Sequence, residues 1–219
     1  DKEEYRLKPF FYAPLNNISA IEYRHEVMRD LENEALFKSI QSFAQKMRLM
    51  REDLAQADKR FYKYQRERWF LDAVGVYCEA IQCLKEDLSL LDLKSRGFLA
   101  FRKYVTDYVA SERFTLLWEE TRKIEADLAT IKYCLLIKGR SIKVRKYESE
   151  IDYSKEVEET FEKFKQGAVK DYRVDFFDWE QMNHIEAKIL DFIVQLYPDI
   201  FSNLDNYYVV NSNFLDEVI

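Results

Sequence analysis

At 219 residues the chain fits one large domain or two small ones with a real core, and 47% hydrophobic with 34% charged residues excludes a disordered tail. Only 4 Gly and 3 Pro are present, too few for the turns of an all-β fold, so long helices with few connections are expected. The net charge of −6 does not by itself suggest a nucleic-acid binder, but its distribution is uneven: residues 38–68 carry nine Lys/Arg against four Asp/Glu, residues 132–146 carry six Lys/Arg and no acid, and residues 175–219 carry nine acids against one Lys.

In chain order, Pro9 and Pro14 bracket an aromatic entry segment, Phe10-Phe11-Tyr12. Ser19 and Glu22 have capping-box spacing and predict a first helix with Ile21, Met28 and Leu31 on its apolar face. A second helix carries Ile40, Phe43, Ala44, Met47 and Leu54 at helical spacing, with Lys46, Arg48 and Arg51 on its other face. Phe70, Val74, Tyr77, Ile81, Leu84, Leu88 and Leu91 then step by alternating fours and threes, a heptad seam. With the polar stretch before it, this predicts one helix from about Asp58 to Leu91, roughly 50 Å long, a strut in an elongated architecture. The seam reads as core, since a domain must bury it somewhere.

Gly97 is the expected break before a helix with Phe98, Phe101, Val105 and Tyr108 on one face. Ser111 is the expected cap of a further helix with Phe114, Leu117, Ile124 and Leu128. The pattern changes at Ile131. Residues 131–137 are rich in β-formers, Gly139-Arg140 offers a turn, and residues 141–147 alternate apolar with basic, which predicts a β-hairpin. Helix returns at Ser154, with Val157, Phe161 and Phe164, and ends near Gly167. Tyr172, Val174 and Phe176 alternate as a third strand would. Asp178 and Gln181 pair as a cap for a helix carrying Met182, Ile185, Ile189, Phe192, Ile193 and Leu196, which Pro198 stops; a last helix runs through Phe201, Leu204, Tyr207 and Tyr208.

Few residues here carry chemistry. Four scattered glycines cannot build a P-loop or a dinucleotide fingerprint, because backbone N–H groups must wrap phosphate oxygens. Glu22 and His25 have the Glu-x-x-His spacing of carboxylate-bridged di-metal bundles, but the second copy such a site needs is missing: Gln181 stands where a carboxylate is required before His184. His184 and Glu186 match the His-x-Glu of zinc deaminases without the Cys-x-x-Cys that must follow. The three cysteines, Cys78, Cys83 and Cys134, lack metal or redox spacing and read as reduced core residues of a cytosolic protein. No apolar run approaches a membrane span and no signal-peptide pattern is present, so no membrane partner is expected. Asp1 stands where an initiator Met would be, and Val218-Ile219 carries no helix-stop signal; the chain is expected to be a piece of a longer polypeptide.

Two basic groups have functional promise. On an alternating strand Lys143 and Arg145 point to one face while Ile142 and Val144 point to the other, and Lys138, Arg140 and Lys146 lie close by. This set either grips phosphates or keeps a strand edge soluble. Lys59, Arg60, Lys63, Arg66 and Arg68 either touch phosphates or form a charged outer helix face paired with Glu67 and Asp72. The acidic, aromatic C-terminal region, with Trp179, Tyr207 and Tyr208, would serve a helical scaffold for protein partners if its rings are exposed.

Four stretches carry a family resemblance: FFYAPLNNISAIEYRHEVMRDLE (10–32), FYKYQRERWFLDAVGVYCEAIQCL (61–84) followed by LKSRGFLAFRKYV (93–105), IKYCLLIKGRSIKVRKYE (131–148), and FKQGAVKDYRVDFFDWEQMNHIEAKILDFIVQLYP (164–198). In this order they resemble the core and lever region of the MutS DNA mismatch-repair family, and specifically its shortened branch without the mismatch-reading domain; the Phe-x-Glu motif that reads a mismatch is missing from this chain. The resemblance implies a mainly α, elongated helical bundle with lever-like helices and a small β insertion. Residues 1–130 would form a helical core with the strut, 131–177 a basic β-containing segment with one helix, and 178–219 C-terminal helices. It further implies a non-enzymatic module without a cofactor of its own. An ATPase domain outside this chain would use ATP and Mg, dimerise and move the levers. Double-stranded or branched DNA would be the partner, in the cytoplasm at the nucleoid. The family makes Lys138, Arg140, Lys143, Arg145 and Lys146 more plausible as phosphate contacts, although their choice rests on charge.

Overall fold

The computed structural model describes residues 9, 12, 14, 16–149, 155–157, 159–160 and 182–212. The fold is mainly helical with one two-stranded antiparallel sheet, in the order α1 (Ile18–Leu31), α2 (Glu34–Lys59), α3 (Lys63–Leu90), α4 (Arg96–Val109), α5 (Glu112–Ala129), β1 (Tyr133–Lys138), β2 (Ser141–Lys146), α6 (His184–Leu196) and α7 (Pro198–Asn211). It divides into two compact units, residues 1–125 with 207–219, and residues 126–206.

The first unit is built on α2 and α3, which fold back on each other. Six of the seven heptad positions, from Phe70 to Leu88, lie in α3 and are buried, and the seventh, Leu91, follows the helix end and is half-buried. Each such side chain contributes on the order of 2 kcal/mol when removed from water. The answering surface on α2 also recurs every seven residues: Leu36, Met50 and Ala57 are buried and Phe43 is half-buried. The expected single helix from Asp58 is therefore corrected. Arg60 and Tyr62 are extended, with ψ 128 and 126, and they separate α2 from α3, which begins at Lys63. A continuous helix could not lay two apolar stripes against each other, so the chain reverses here without Gly or Pro. The helix that remains has 28 residues, about 42 Å at 1.5 Å per residue.

Several local expectations also shift. The cap of α1 is Asn17, whose side chain accepts from the Ser19 N–H, and Ser19 lies inside the helix. Met28, expected on the apolar face of α1, is 60% exposed, and the buried residue of α1 is Asp30. Gly97 sits in the first turn of α4, not at a break; Ser95 caps that helix by accepting from the Phe98 N–H at 3.1 Å. What Gly97 permits is close approach: a Cβ there would meet Val27 Cγ2 at 2.6 Å and the Tyr23 hydroxyl at 2.8 Å. Ser111 caps α5 as expected, accepting from the Phe114 N–H at 3.3 Å. Of the cysteines only Cys78 is in the core; Cys134 is half-buried and Cys83 is exposed, and all three are free thiols. Burial pushes the Cys78 thiol up to about 12.

Buried hydroxyls tie the first unit together. The Tyr77 and Tyr108 hydroxyls are 2.7 Å apart, and Thr121 Oγ1 is 2.6 Å from the Tyr207 hydroxyl. Tyr207 and Tyr208 both pack edge-on against Phe70.

In the second unit, β1 and β2 form the expected hairpin. Gly139 has φ 58 and Arg140 does not share a positive φ, the combination of a type II′ turn, which matches the twist of the two strands. Helix α6 starts at His184 rather than near Asp178. Asn183 is its cap and Glu186 returns the bond, its carboxylate accepting from the Asn183 N–H at 2.9 Å, so Met182 lies outside the helix. Pro198 both follows the end of α6 and opens α7, where its missing N–H costs nothing. Lys155, Glu156, Val157, Glu159 and Thr160 are helical, whereas Ser154, Phe161, Phe164, Gly167, the strand expected at Tyr172–Phe176, and Asp178, Trp179 and Gln181 lie outside the described residues.

Candidate nucleic-acid interface

The hairpin register decides which cations share a face. Tyr133 pairs with Lys146, Cys134 with Arg145, Leu135 with Val144, Leu136 with Lys143, Ile137 with Ile142 and Lys138 with Ser141. Directly paired residues lie on the same side of an antiparallel sheet. One face therefore carries Lys138, Lys143 and Arg145 around Leu136 and Cys134. The other is apolar, formed by Leu135, Ile137, Ile142 and Val144, with Lys146 at its base.

The five expected hairpin cations thus separate. Lys138, Arg140 and Lys143 are exposed, Arg140 at the turn itself, and Arg145 on the same face is half-buried. Lys146 is on the opposite face, with its ammonium 5.0 Å from the centre of the Tyr197 ring. The Tyr197 hydroxyl in turn donates to the Lys132 carbonyl at 2.5 Å, and the Tyr147 N–H donates to the same carbonyl at 3.3 Å. Lys146 thus lies on the side of the hairpin toward Tyr197, and α6 packs on β2. Residues 132–146 themselves contain no acid. Like charges placed diagonally across a ladder, about 7 Å apart, repel by roughly 0.6 kcal/mol in water, a cost that an approaching polyanion reverses in sign.

The second basic group spans two helices and the turn between them, instead of one helix face. Its members have different surroundings. Arg68 pairs with Asp72 through two contacts, Nε–Oδ2 at 3.0 Å and a terminal nitrogen to Oδ1 at 2.7 Å. Arg60 donates to the Gln56 side chain at 3.2 Å and lies 5.1 Å from the Trp69 ring centre. Arg66 lies over the Tyr208 ring at 5.3 Å. Lys63 is 3.9 Å from the buried Glu67 carboxylate and 5.3 Å from the Tyr64 ring. Lys59 is exposed at the end of α2. The expected pairing with Glu67 and Asp72 is therefore found for Lys63 and Arg68.

One residue of this region escaped the sequence reading. Phe61, in the turn between α2 and α3, is 93% exposed. The available signal was the interleaving of aromatic and basic residues in KRFYKYQRERW, residues 59–69, which reads as a polar helical stretch if the turn is not seen.

The aromatic residues expected at a C-terminal partner surface are covered where they are described: Tyr207 is 5% exposed and Tyr208 is half-buried beneath Arg66. Among the described residues no helix is long and apolar enough to cross a membrane. No protein-family model, curated protein or solved structure matches the chain.

Proposed function

We propose that this chain is a non-catalytic module that holds DNA by its phosphates, without reading bases, through the β-hairpin. The observation that carries this reading is the hairpin register, which groups Lys138 and Lys143 on one face, adds Arg140 at the turn and leaves all three exposed in an acid-free segment. A hydrogen-bonded ladder pinned at its base by Tyr197 keeps these cations in a fixed spacing. Each phosphate they neutralise releases condensed counterions, which supplies affinity with no sequence information.

The resemblance to the MutS family extends the role. As a core and lever region, the chain would couple motion of an ATPase domain outside it, which uses ATP and Mg, to the grip on double-stranded or branched DNA. Dimerisation through the whole protein would multiply two modest affinities by effective concentration. The long pairing of α2 with α3 supports that mechanical part, because a helix packed along its length resists bending. The alternative reading as a protein scaffold loses one ring of its expected surface, Tyr207, which is buried, while Tyr208 is half-buried and Trp179 lies outside the described residues.

The test is binding of the chain to duplexes of unrelated sequence and to a four-way junction, beside a Lys138→Ala/Arg140→Ala/Lys143→Ala variant. The expected result is similar affinity across sequences and at least tenfold weaker binding by the variant near 50 mM salt, three lost phosphate contacts being involved. Lys146→Ala should leave the affinity nearly unchanged. Equal binding by the triple variant and the unaltered chain would refute the hairpin as the DNA surface.

A further inference from the structure

We propose that the turn between α2 and α3 is a separate contact for nucleic acid with unpaired bases, in which a base stacks on Phe61 while Lys59 and Lys63 hold the flanking phosphates. The ligand class rests on the DNA reading above; the site stands on different residues.

Phe61 is the most exposed of the large hydrophobic residues described, at 93%. Tyr62 meets it edge-on, with ring centres 5.5 Å apart and planes at 89°, so the ring is propped at the tip without being covered. The turn is held by its neighbours: the Arg60 N–H donates to the Ala57 carbonyl at 3.1 Å, and the Arg60 guanidinium rests against Trp69. An uncovered ring on a turn whose neighbouring residue is anchored is a stacking platform for a base.

The charge around the ring fits the phosphates on either side of such a base. Lys59 and Lys63 flank it and are exposed, and Arg60 and Arg66 add positive charge behind them. Of the acids in residues 58–68, Glu67 is buried with its carboxylate 3.9 Å from the exposed Lys63 ammonium, and Asp58 is exposed. A bilayer surface is disfavoured by the apolar area on offer: membrane binding scales with the apolar surface inserted, and the tip presents one ring beside a half-buried tyrosine. A base requires only one planar face. Paired bases are already stacked, so the site selects overhangs, gaps, junction centres and single strands.

The experiment compares the whole chain with Phe61→Ala, Phe61→Trp and Lys59→Ala/Lys63→Ala variants. The probes are a 20-nucleotide oligothymidylate, a blunt duplex of the same length and vesicles containing phosphatidylserine. Phe61→Ala is expected to bind the oligothymidylate about tenfold more weakly, with blunt-duplex affinity and thermal midpoint unchanged because the ring is not part of the core. Phe61→Trp should bind at least as tightly as the unaltered chain. The double lysine variant should lose about 1.4 from the salt slope on single strands. Oligothymidylate binding that is absent at low salt, or that is the same with and without the Phe61 ring, overturns the proposal; so does vesicle binding that depends on Phe61. The Lys138→Ala/Arg140→Ala/Lys143→Ala variant separates the two sites. If it binds duplex normally the hairpin reading fails, while the Phe61 result on single strands is decided independently.

Discussion

Asp30 shows how one side chain organises a junction. It sits on α1 with 9% exposure, and its carboxylate accepts from the Lys94 N–H at 3.2 and 3.1 Å and from the Ser95 N–H at 2.8 Å. Those donors stand at the start of α4, where N–H groups lack helical partners. Burial pushes the carboxyl up, but the bonds from Ser95 and Lys94 and the Lys94 charge outweigh it and hold the acid below its usual range. Its ionised form therefore stabilises the fold at pH values above the unfolded-state value, and the stabilisation is lost as pH falls through the lower folded-state value. Asp30→Ala is expected to lower the unfolding free energy by about 2 kcal/mol near pH 7, with the difference from the unaltered chain shrinking below about pH 4. Urea unfolding at several pH values measures this. Glu125 has the opposite sign. Burial raises its acid, and Asp72 and Glu79 raise it further against the opposing Arg68 and Arg122. Its ionised form costs stability at neutral pH, a cost that disappears as pH falls through the raised value. Glu125→Gln should raise the thermal midpoint near pH 7 and leave it unchanged near pH 4.

Among the elements, those with long periodic patterns were legible and their joints were not. The heptad of α3 announced a buried seam because seven apolar positions in register leave no other use for that face. The hairpin was legible because alternation and a Gly-Arg turn agree, and Gly139 is needed there for its φ alone, since a Cβ would meet nothing within 4 Å. Helix starts are ambiguous because several residues in each stretch can cap: Ser19 with Glu22 and Asn17 compete at α1, and Asp178 with Gln181 and Asn183 with Glu186 compete at α6. The reversal at residues 60–62 left no local sign, being set by two apolar stripes that must meet. For the same reason nothing in the sequence marks Phe61 as exposed, and charge alone does not separate Lys146 from the cations that the register places on the other face. Gly97 is a close contact inside α4 rather than the helix breaker that its residue type suggests. Gly97→Ala is expected to cost about 1–3 kcal/mol, because the stiff Val27 side chain must yield. Gly75→Ala is the control. There the added Cβ meets the movable end of Glu125 at 2.8 Å, while the helix gains roughly 1 kcal/mol of propensity. Thermal unfolding of the two variants should differ clearly; equal midpoints would mean that α1 and α4 can separate slightly without penalty.

At the scale of the whole molecule, an acidic chain has two stretches with a local excess of positive charge, the hairpin in one unit and the α2–α3 turn in the other. Such local excesses favour binding a polyanion at those points. Under the proposed reading the hairpin would hold duplex phosphates, and the turn, considered by itself, would take an unpaired base. The most direct test of the central claim is the dependence of duplex binding on salt, measured for the unaltered chain and for Lys138→Ala/Arg140→Ala/Lys143→Ala. The predicted result is a linear fall of log affinity with log salt whose slope becomes shallower by about 2.7 in the variant, 0.9 for each lost phosphate contact. The same slope in both proteins would contradict the account, because the hairpin cations would then take no phosphate.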